Sequence, residues 1–446
     1  MLIFFWKINA FPLRSWDEAW YGEIIRNMAQ GTHGWLVPFW NGEYYFDKPP
    51  LYFWLTLPFF KIFGVGEWQI RIVSVLAAIG ATFLVYLLGK KLFSGRAGLF
   101  SAVVFLSLGQ VAGRFSEGNL DALLVFLFLL TFYFFLLGSE KKIFIIFSGI
   151  TLGLGFLVKG WLLGLFPFLL IFFYSLISQR KIQFQRLLLL LFISFLSSGW
   201  WFFLGYQNFG QRFLDWYLLS PTAGTFARQF HFSSQISTTF FRDIGFWWLV
   251  FILLLLIRKI VLFKKEVLIS FLAAIFVFVL AVHFLDSFIG WYLLPVYPLM
   301  ALIIGCCLDS LSRVHFKLAI GFGLVMLLMQ GLLLGKLQNL NQDRSFLMAD
   351  LGITAKEVVP REETLVLDDP DFTSFLFYSQ HQKIYTLSDS GGKAGEWWII
   401  KKEDLPDFIK GHSPVWVISQ DLKNLPVNFN DNQVVATQDG FQFLRF

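Results

Sequence analysis

The sequence predicts an α-helical polytopic membrane protein followed by a small soluble α/β domain. Composition is the first reason. The 446 residues are 57% hydrophobic and include 57 Phe, with a mean hydropathy of +0.64, more apolar surface than a water-soluble core needs. Apolar stretches also recur from residue 68 to 336, separated by loops that hold most of the Lys and Arg. From about Leu337 the chain turns polar, and short β-branched or aromatic runs alternate with helical ones.

Met1–Ala10 is apolar but shorter than the roughly 20 residues a span requires. It is therefore not read as a span. Asp17–Gln30 reads as a short amphipathic helix, with Trp20, Ile24 and Met28 on one face and Glu23 and Arg26 elsewhere. Gly31-Thr32-His33-Gly34 and Asn41-Gly42 read as turns. Pro49–Phe63 reads as a second helix opened by prolines, and both helices are expected to lie along the membrane surface. Candidate spans follow at about 68–89, 97–113, 119–138, 143–158, 161–178, 187–206, 244–257, 266–285, 291–308 and 316–336. The two cysteines, Cys306 and Cys307, are adjacent inside an apolar span and read as packing residues.

Charge orients the spans. One set of loops carries Lys90, Lys91 and Arg96; Lys141 and Lys142; Arg180, Lys181 and Arg186; Arg258, Lys259, Lys264 and Lys265; and Arg313 and Lys317. The alternate loops hold only Arg114, Lys159, Arg212, Arg228 and Arg242. The first set is expected in the cytoplasm. The unusual polar residues, from Asp17–Leu51 to the 286–290 turn, then all face outward. An even number of spans leaves the C-terminal domain outside too. Its predicted strands are Thr364–Leu367, Lys383–Leu387, Trp397–Ile400, Val415–Ile418 and Gln433–Thr437, with helices at Thr373–Gln380 and Glu403–Lys410. The expected domains are 1–336, with a first outer loop at 11–67, and 337–446. The net charge of +6 follows from loop topology and gives no reason to expect a nucleic-acid partner.

The stretch Asp17–Leu51 carries the motifs. Asp-Glu-x-x-Tyr, Trp-Leu-Val-Pro, Asn-Gly-Glu and Phe-Asp-Lys-Pro-Pro-Leu-Tyr-x-Trp occur there in order. This resembles the first outer loop of the bacterial aminoarabinose-transferase and protein-mannosyltransferase glycosyltransferases, which have the GT-C fold. Weaker similarity continues to about residue 305. The resemblance implies a polyprenyl-phosphate sugar donor and a lipid, glycan or protein acceptor at the outer face of the plasma membrane.

Such a transfer needs a carboxylate to take the acceptor's proton and cations to hold the leaving phosphate. The resemblance implies Asp17 as the base, assisted by Glu18 and Asp121. It implies Lys48, Tyr292 and Lys159 as donor-phosphate ligands, with Arg228 read as the substitute for an arginine of the family pattern. All but Arg228 have a plainer reading. Asp17 and Asp121 sit where helix caps sit, and Glu18 can complement a helix N-terminus. Lys48 and Lys159 can snorkel, and Tyr292 can belong to an interfacial aromatic belt. No cofactor is expected, although Asp47 and His231 could share a divalent metal. Two positions depart from the family pattern: no lysine stands in Ser287-Phe288-Ile289-Gly290 before Trp291-Tyr292, and Thr225, not arginine, follows Gly224. The alternative from another class is a transporter or flippase of lipid-linked sugars. That class places charge near the bilayer midplane and shows internal repeats, neither of which appears here.

Overall fold

The computed structural model describes residues 5, 8–160, 164–179, 184–219, 234–249, 264–283, 289–338, 342–392, 396–428 and 433–446. The chain forms two compact units. The first comprises residues 1–8, 46–55 and 71–339, and the second 9–45, 56–70 and 340–446.

The first unit is helical. Among the described residues five helices are long and apolar enough to cross a membrane: Glu67–Leu92, Leu120–Leu137, Phe184–Phe209, Lys265–Val282 and Gly290–Val314. Shorter apolar helices accompany them, including Gly95–Ser107 and Ile143–Lys159. Small residues let these helices approach closely, as they do where lipid offers no competing hydrophobic drive. A Cβ on Gly89 would lie 2.6 Å from Gly98 Cα. Gly305 faces Ser101 in the same way, and Gly153 faces Ser194 and Ser197. Hydroxyls add bonds between helices: Thr131 Oγ1 donates to Thr151 Oγ1 at 2.9 Å and Ser148 Oγ to the Thr131 carbonyl at 2.8 Å.

Two expected spans are interrupted. The stretch 97–113 divides into Gly95–Ser107 and Gly109–Arg114, because Leu108 is extended at φ −69°, ψ 139°. The stretch 291–308 begins as a 3₁₀ segment, Gly290–Val296, and becomes α-helical only at Tyr297–Val314. Pro295 contributes no N–H to an α-ladder there. The expected span 244–257 lies largely outside the described residues.

The second unit is α/β. β1 (Phe39–Trp40) and β2 (Glu43–Tyr44) form a hairpin on Asn41-Gly42. Both turn residues have positive φ, 50° and 83°, the backbone that a two-residue hairpin demands and that Asn-Gly supplies. β3 (Thr364–Leu367), β4 (Ile384–Ser388), β5 (Ile399–Lys401), β6 (Val415–Ser419), β7 (Val434–Gln438) and β8 (Phe441–Arg445) make one sheet in the order β5-β4-β3-β6-β8-β7. β5, β4, β3 and β6 are parallel, and β8 pairs antiparallel with both β6 and β7. Leu387, Ile400, Leu405, Val415, Val417 and Leu444 pack in its core.

Asp17–Gln30 is helical over the expected range, but its polar side is as buried as its apolar side. Glu23 is 2% and Arg26 7% exposed. The two pair with each other, and Arg26 Nη1 donates to the Phe377 carbonyl at 2.6 Å. Burial pushes the Glu23 carboxyl above the usual range, against the pull of Arg26. A helix simply resting on a membrane surface would leave these groups in water. This one packs against the Phe372–Ser379 helix of its own unit.

Asn41 ties the hairpin to the sheet. Its Nδ2 donates to the Ile384 carbonyl at 2.8 Å, and its Oδ1 accepts from Ile384 N at 2.7 Å, so the side chain pairs with β4 as a neighbouring peptide would. Trp20 and Trp40 stack beside it with centroids 4.0 Å apart. Asn41→Ala strands a buried donor and acceptor and is expected to cost about 2–4 kcal/mol. Thermal unfolding of the purified chain in detergent reads this directly; an unchanged midpoint would show that the pairing contributes nothing.

Candidate active site

In the first unit the chemistry gathers where three helix ends meet. Asp121 lies in the first turn of Leu120–Leu137, and the N-cap is Asn119, whose side chain accepts from Asp121 N at 3.0 Å. The capping reading therefore goes to Asn119 and leaves the Asp121 carboxylate for other partners. Asn119 Nδ2 donates to the Arg114 carbonyl at 2.6 Å. Ser74 brackets the Asn119 backbone, donating to its carbonyl at 2.8 Å and accepting from its N–H at 3.1 Å. Tyr52 Oη lies 3.3 Å from Ser74 Oγ. A tyrosine of the Phe46–Trp54 motif thus props the turn that carries Asp121.

Asp121 stands between two cations. Arg114 Nη2 donates to Oδ2 at 3.0 Å, and Lys159 Nζ donates to Oδ1. Arg114 also reaches Glu117 at 3.4 Å. The Asp121, Lys159 and Arg114 side chains are 4%, 8% and 14% exposed. Lys159 closes the Ile143–Lys159 helix, where backbone carbonyls favour a positive charge. Consecutive aromatic rings cover the two cations. The Trp291 ring centroid lies 4.0 Å from Arg114 Cζ, and that of Tyr292 5.3 Å from Lys159 Nζ. Lys159 is thus buried against a carboxylate, with the Tyr292 ring over its ammonium group.

The structure thus brings Asp121, Lys159 and Tyr292 together. Arg114 is the member that sequence reasoning missed, having counted it only as a loop cation. The spacing Arg114-x-x-Glu117-x-x-x-Asp121 was the available signal. Asp47 and Lys48 pair with each other at 2.5 Å and belong to the same unit. Asp17 and Glu18 belong to the second unit. Asp17 opens its helix one residue after the cap position, Trp16, and accepts from Tyr21 Oη at 3.2 Å. Glu18 is buried and accepts from Arg14 N at 2.9 Å. Arg228 and His231 lie outside the described residues. Among the described residues no three His, Cys, Asp or Glu side chains group as metal ligands.

A carboxylate shared by two cations, in a chain of apolar helices, is costly to assemble and costlier to half-assemble. Asp121→Ala, which leaves both cations buried without it, is expected to lose about 3–5 kcal/mol of stability. Replacing Arg114, Asp121 and Lys159 together by Leu, Leu and Met should recover most of that loss, as measured by melting in detergent. A triple variant no more stable than Asp121→Ala would contradict this account of the cluster.

Residues 47–201 match the family described as dolichyl-phosphate-mannose-protein mannosyltransferase. The chain is similar to the undecaprenyl phosphate-alpha-4-amino-4-deoxy-L-arabinose arabinosyl transferase of Pseudomonas savastanoi, at 31% identity over 38% of this chain and 33% of that protein. It is also similar to an uncharacterized protein of Aquifex aeolicus, at 26% identity over 71% of this chain and 64% of that one. The stretch matched in the arabinosyl transferase spans about a third of its length. Among solved structures, ArnT from Cupriavidus metallidurans superposes with a TM-score of 0.79 at 18% identity, covering 100% of this chain and 96% of ArnT. The Archaeoglobus fulgidus oligosaccharyltransferase reaches 0.60 at 15% identity, covering 92% of this chain and 66% of that one. The chain has the GT-C fold of a multi-pass membrane protein, and its residues 47–201 are similar to the protein-mannosyltransferase family.

Proposed function

We propose that this protein is a glycosyltransferase that takes a sugar from a polyprenyl-phosphate donor and passes it to a lipid, glycan or protein acceptor at the outer face of the plasma membrane. The observation that carries the reading is the Arg114–Asp121–Lys159 cluster under Trp291 and Tyr292. Two cations gathered on one carboxylate stand close enough together to bind one phosphate between them. A solved ArnT structure with the same fold is described as bound to undecaprenyl phosphate, which supports this donor class. The excess of cations on alternate loops supports the outward orientation.

In the proposed step an acceptor hydroxyl or amine attacks the anomeric carbon. The bond from that carbon to the phosphate oxygen breaks, and polyprenyl phosphate departs with the electron pair. Arg114 and Lys159 take up the charge developing on it, exchanging part of their contact with Asp121 for the phosphate. Lys48 adds a further cation. The acceptor's proton passes to Asp17, a role that rests on the family resemblance. A single displacement inverts the anomeric centre.

The test is turnover by the purified full chain with undecaprenyl-phosphate sugars, read as release of free undecaprenyl phosphate. Lys159→Ala, Arg114→Ala and Lys48→Ala are each expected to cut turnover about 10- to 100-fold, the worth of one charge-assisted hydrogen bond. Asp17→Asn should abolish it. Near-normal turnover by Asp17→Asn would remove Asp17 as the base. No release from any polyprenyl-phosphate sugar would overturn the donor class.

A further inference from the structure

A second buried carboxylate sits at the interruptions of the two broken spans. Asp243, in the Ser234–Ile244 helix, is 3% exposed. Its Oδ2 accepts the Tyr297 hydroxyl at 2.6 Å, and its Oδ1 accepts Arg242 Nε at 3.2 Å. The Gln110 side chain hydrogen-bonds to it as well. A Cβ on Gly109 would lie 3.2 Å from Asp243 Oδ1, and one on Gly290 would lie 3.2 Å from Thr239. Just beyond, Trp247 Nε1 donates to Ser107 Oγ at 2.8 Å, and Phe246 N to Gln330 Oε1 at 3.3 Å.

These contacts fall at the ends that matter. Ser107 closes one helix, and Gly109 opens the short helix that ends in Arg114. Gly290 opens the 3₁₀ segment that carries Trp291 and Tyr292, and Tyr297 opens the helix after it. Each interruption frees backbone groups that an apolar setting must satisfy or pack around. A carboxylate among apolar helices calls for a reason, and nothing in the transfer step uses this one.

We infer that Asp243 is a positioning residue. By holding Tyr297, Gln110 and Arg242 at once, it fixes both interruptions so that Arg114, Trp291 and Tyr292 meet Asp121 and Lys159. The inference extends the donor-site reading, but its structural half stands without that reading.

The experiment is amide hydrogen exchange on the full chain in detergent, paired with equilibrium binding of undecaprenyl phosphate. Asp243→Ala and Tyr297→Phe should raise exchange over residues 109–114 and 290–296 by about tenfold or more and leave β3–β8 unchanged. Asp243→Asn, which keeps an acceptor for Tyr297, should restore most of the protection. Unchanged exchange in those two segments, or an equal rise through every helix, would overturn the inference. So would an asparagine variant no better protected than the alanine one. Binding of undecaprenyl phosphate should weaken about tenfold in Asp243→Ala and recover in Asp243→Asn; wild-type binding by Asp243→Ala overturns the positioning role. Should the unmodified protein fail to bind undecaprenyl phosphate, the donor reading falls, and the exchange pattern alone decides the role of Asp243.

Discussion

A carboxylate placed among apolar helices has to be neutralised where it stands, and Asp121 meets that constraint with Arg114 on one oxygen and Lys159 on the other. Much of the local structure serves this arrangement. Asn119 takes over the helix cap, so Asp121 is not spent on backbone amides. Ser74 and Tyr52 hold the preceding turn. Lys159 arrives at a helix C-terminus, where its charge is favoured. The two rings above the cations attract their charge. In the proposed transfer, a phosphate entering this site would meet cations already gathered and would displace the carboxylate that holds them.

Continuous helices would not deliver these side chains. Arg114 comes from a short helix set off from its neighbour at Leu108, and Trp291 and Tyr292 come from a 3₁₀ segment. Irregular backbone in an apolar setting persists only where protein groups satisfy it. Asp243, Gln110, Tyr297, Trp247 and Ser107 are the groups gathered there. Close glycine contacts between the surrounding helices leave little room for these segments to shift.

Where local chemistry decides structure, the sequence was readable. The Asp17–Gln30 helix, the Asn41-Gly42 turn and the strand at Thr364–Leu367 appear where pattern and turn propensity place them. β8 (Phe441–Arg445) was legible but passed over: Asp439-Gly440, both at positive φ, is the same two-residue hairpin signal as Asn41-Gly42. The break at Leu108 escaped because the groups that contact its neighbours, Asp243 and Trp247, lie far along the chain. Hydropathy sees a single apolar run there. Asp121, Lys159 and Tyr292 could each be picked out as unusual, yet no local signal joins residues so distant in sequence. Arg114 gained its meaning only when its partner was known. The stretch Asp17–Leu51, one motif in the sequence, is shared between the two units, which part at Phe46. Periodicity carries no trace of that division.

The central claim is that the cations gathered on Asp121 are the seat of a lipid phosphate. Cryo-electron microscopy of the full chain with undecaprenyl phosphate tests it most directly. The account predicts phosphate density within hydrogen-bonding distance of Lys159 Nζ and the Arg114 guanidinium, with the bonds of both to Asp121 lengthened or broken. Phosphate seated elsewhere, with Arg114 and Lys159 still closed on Asp121, would contradict it.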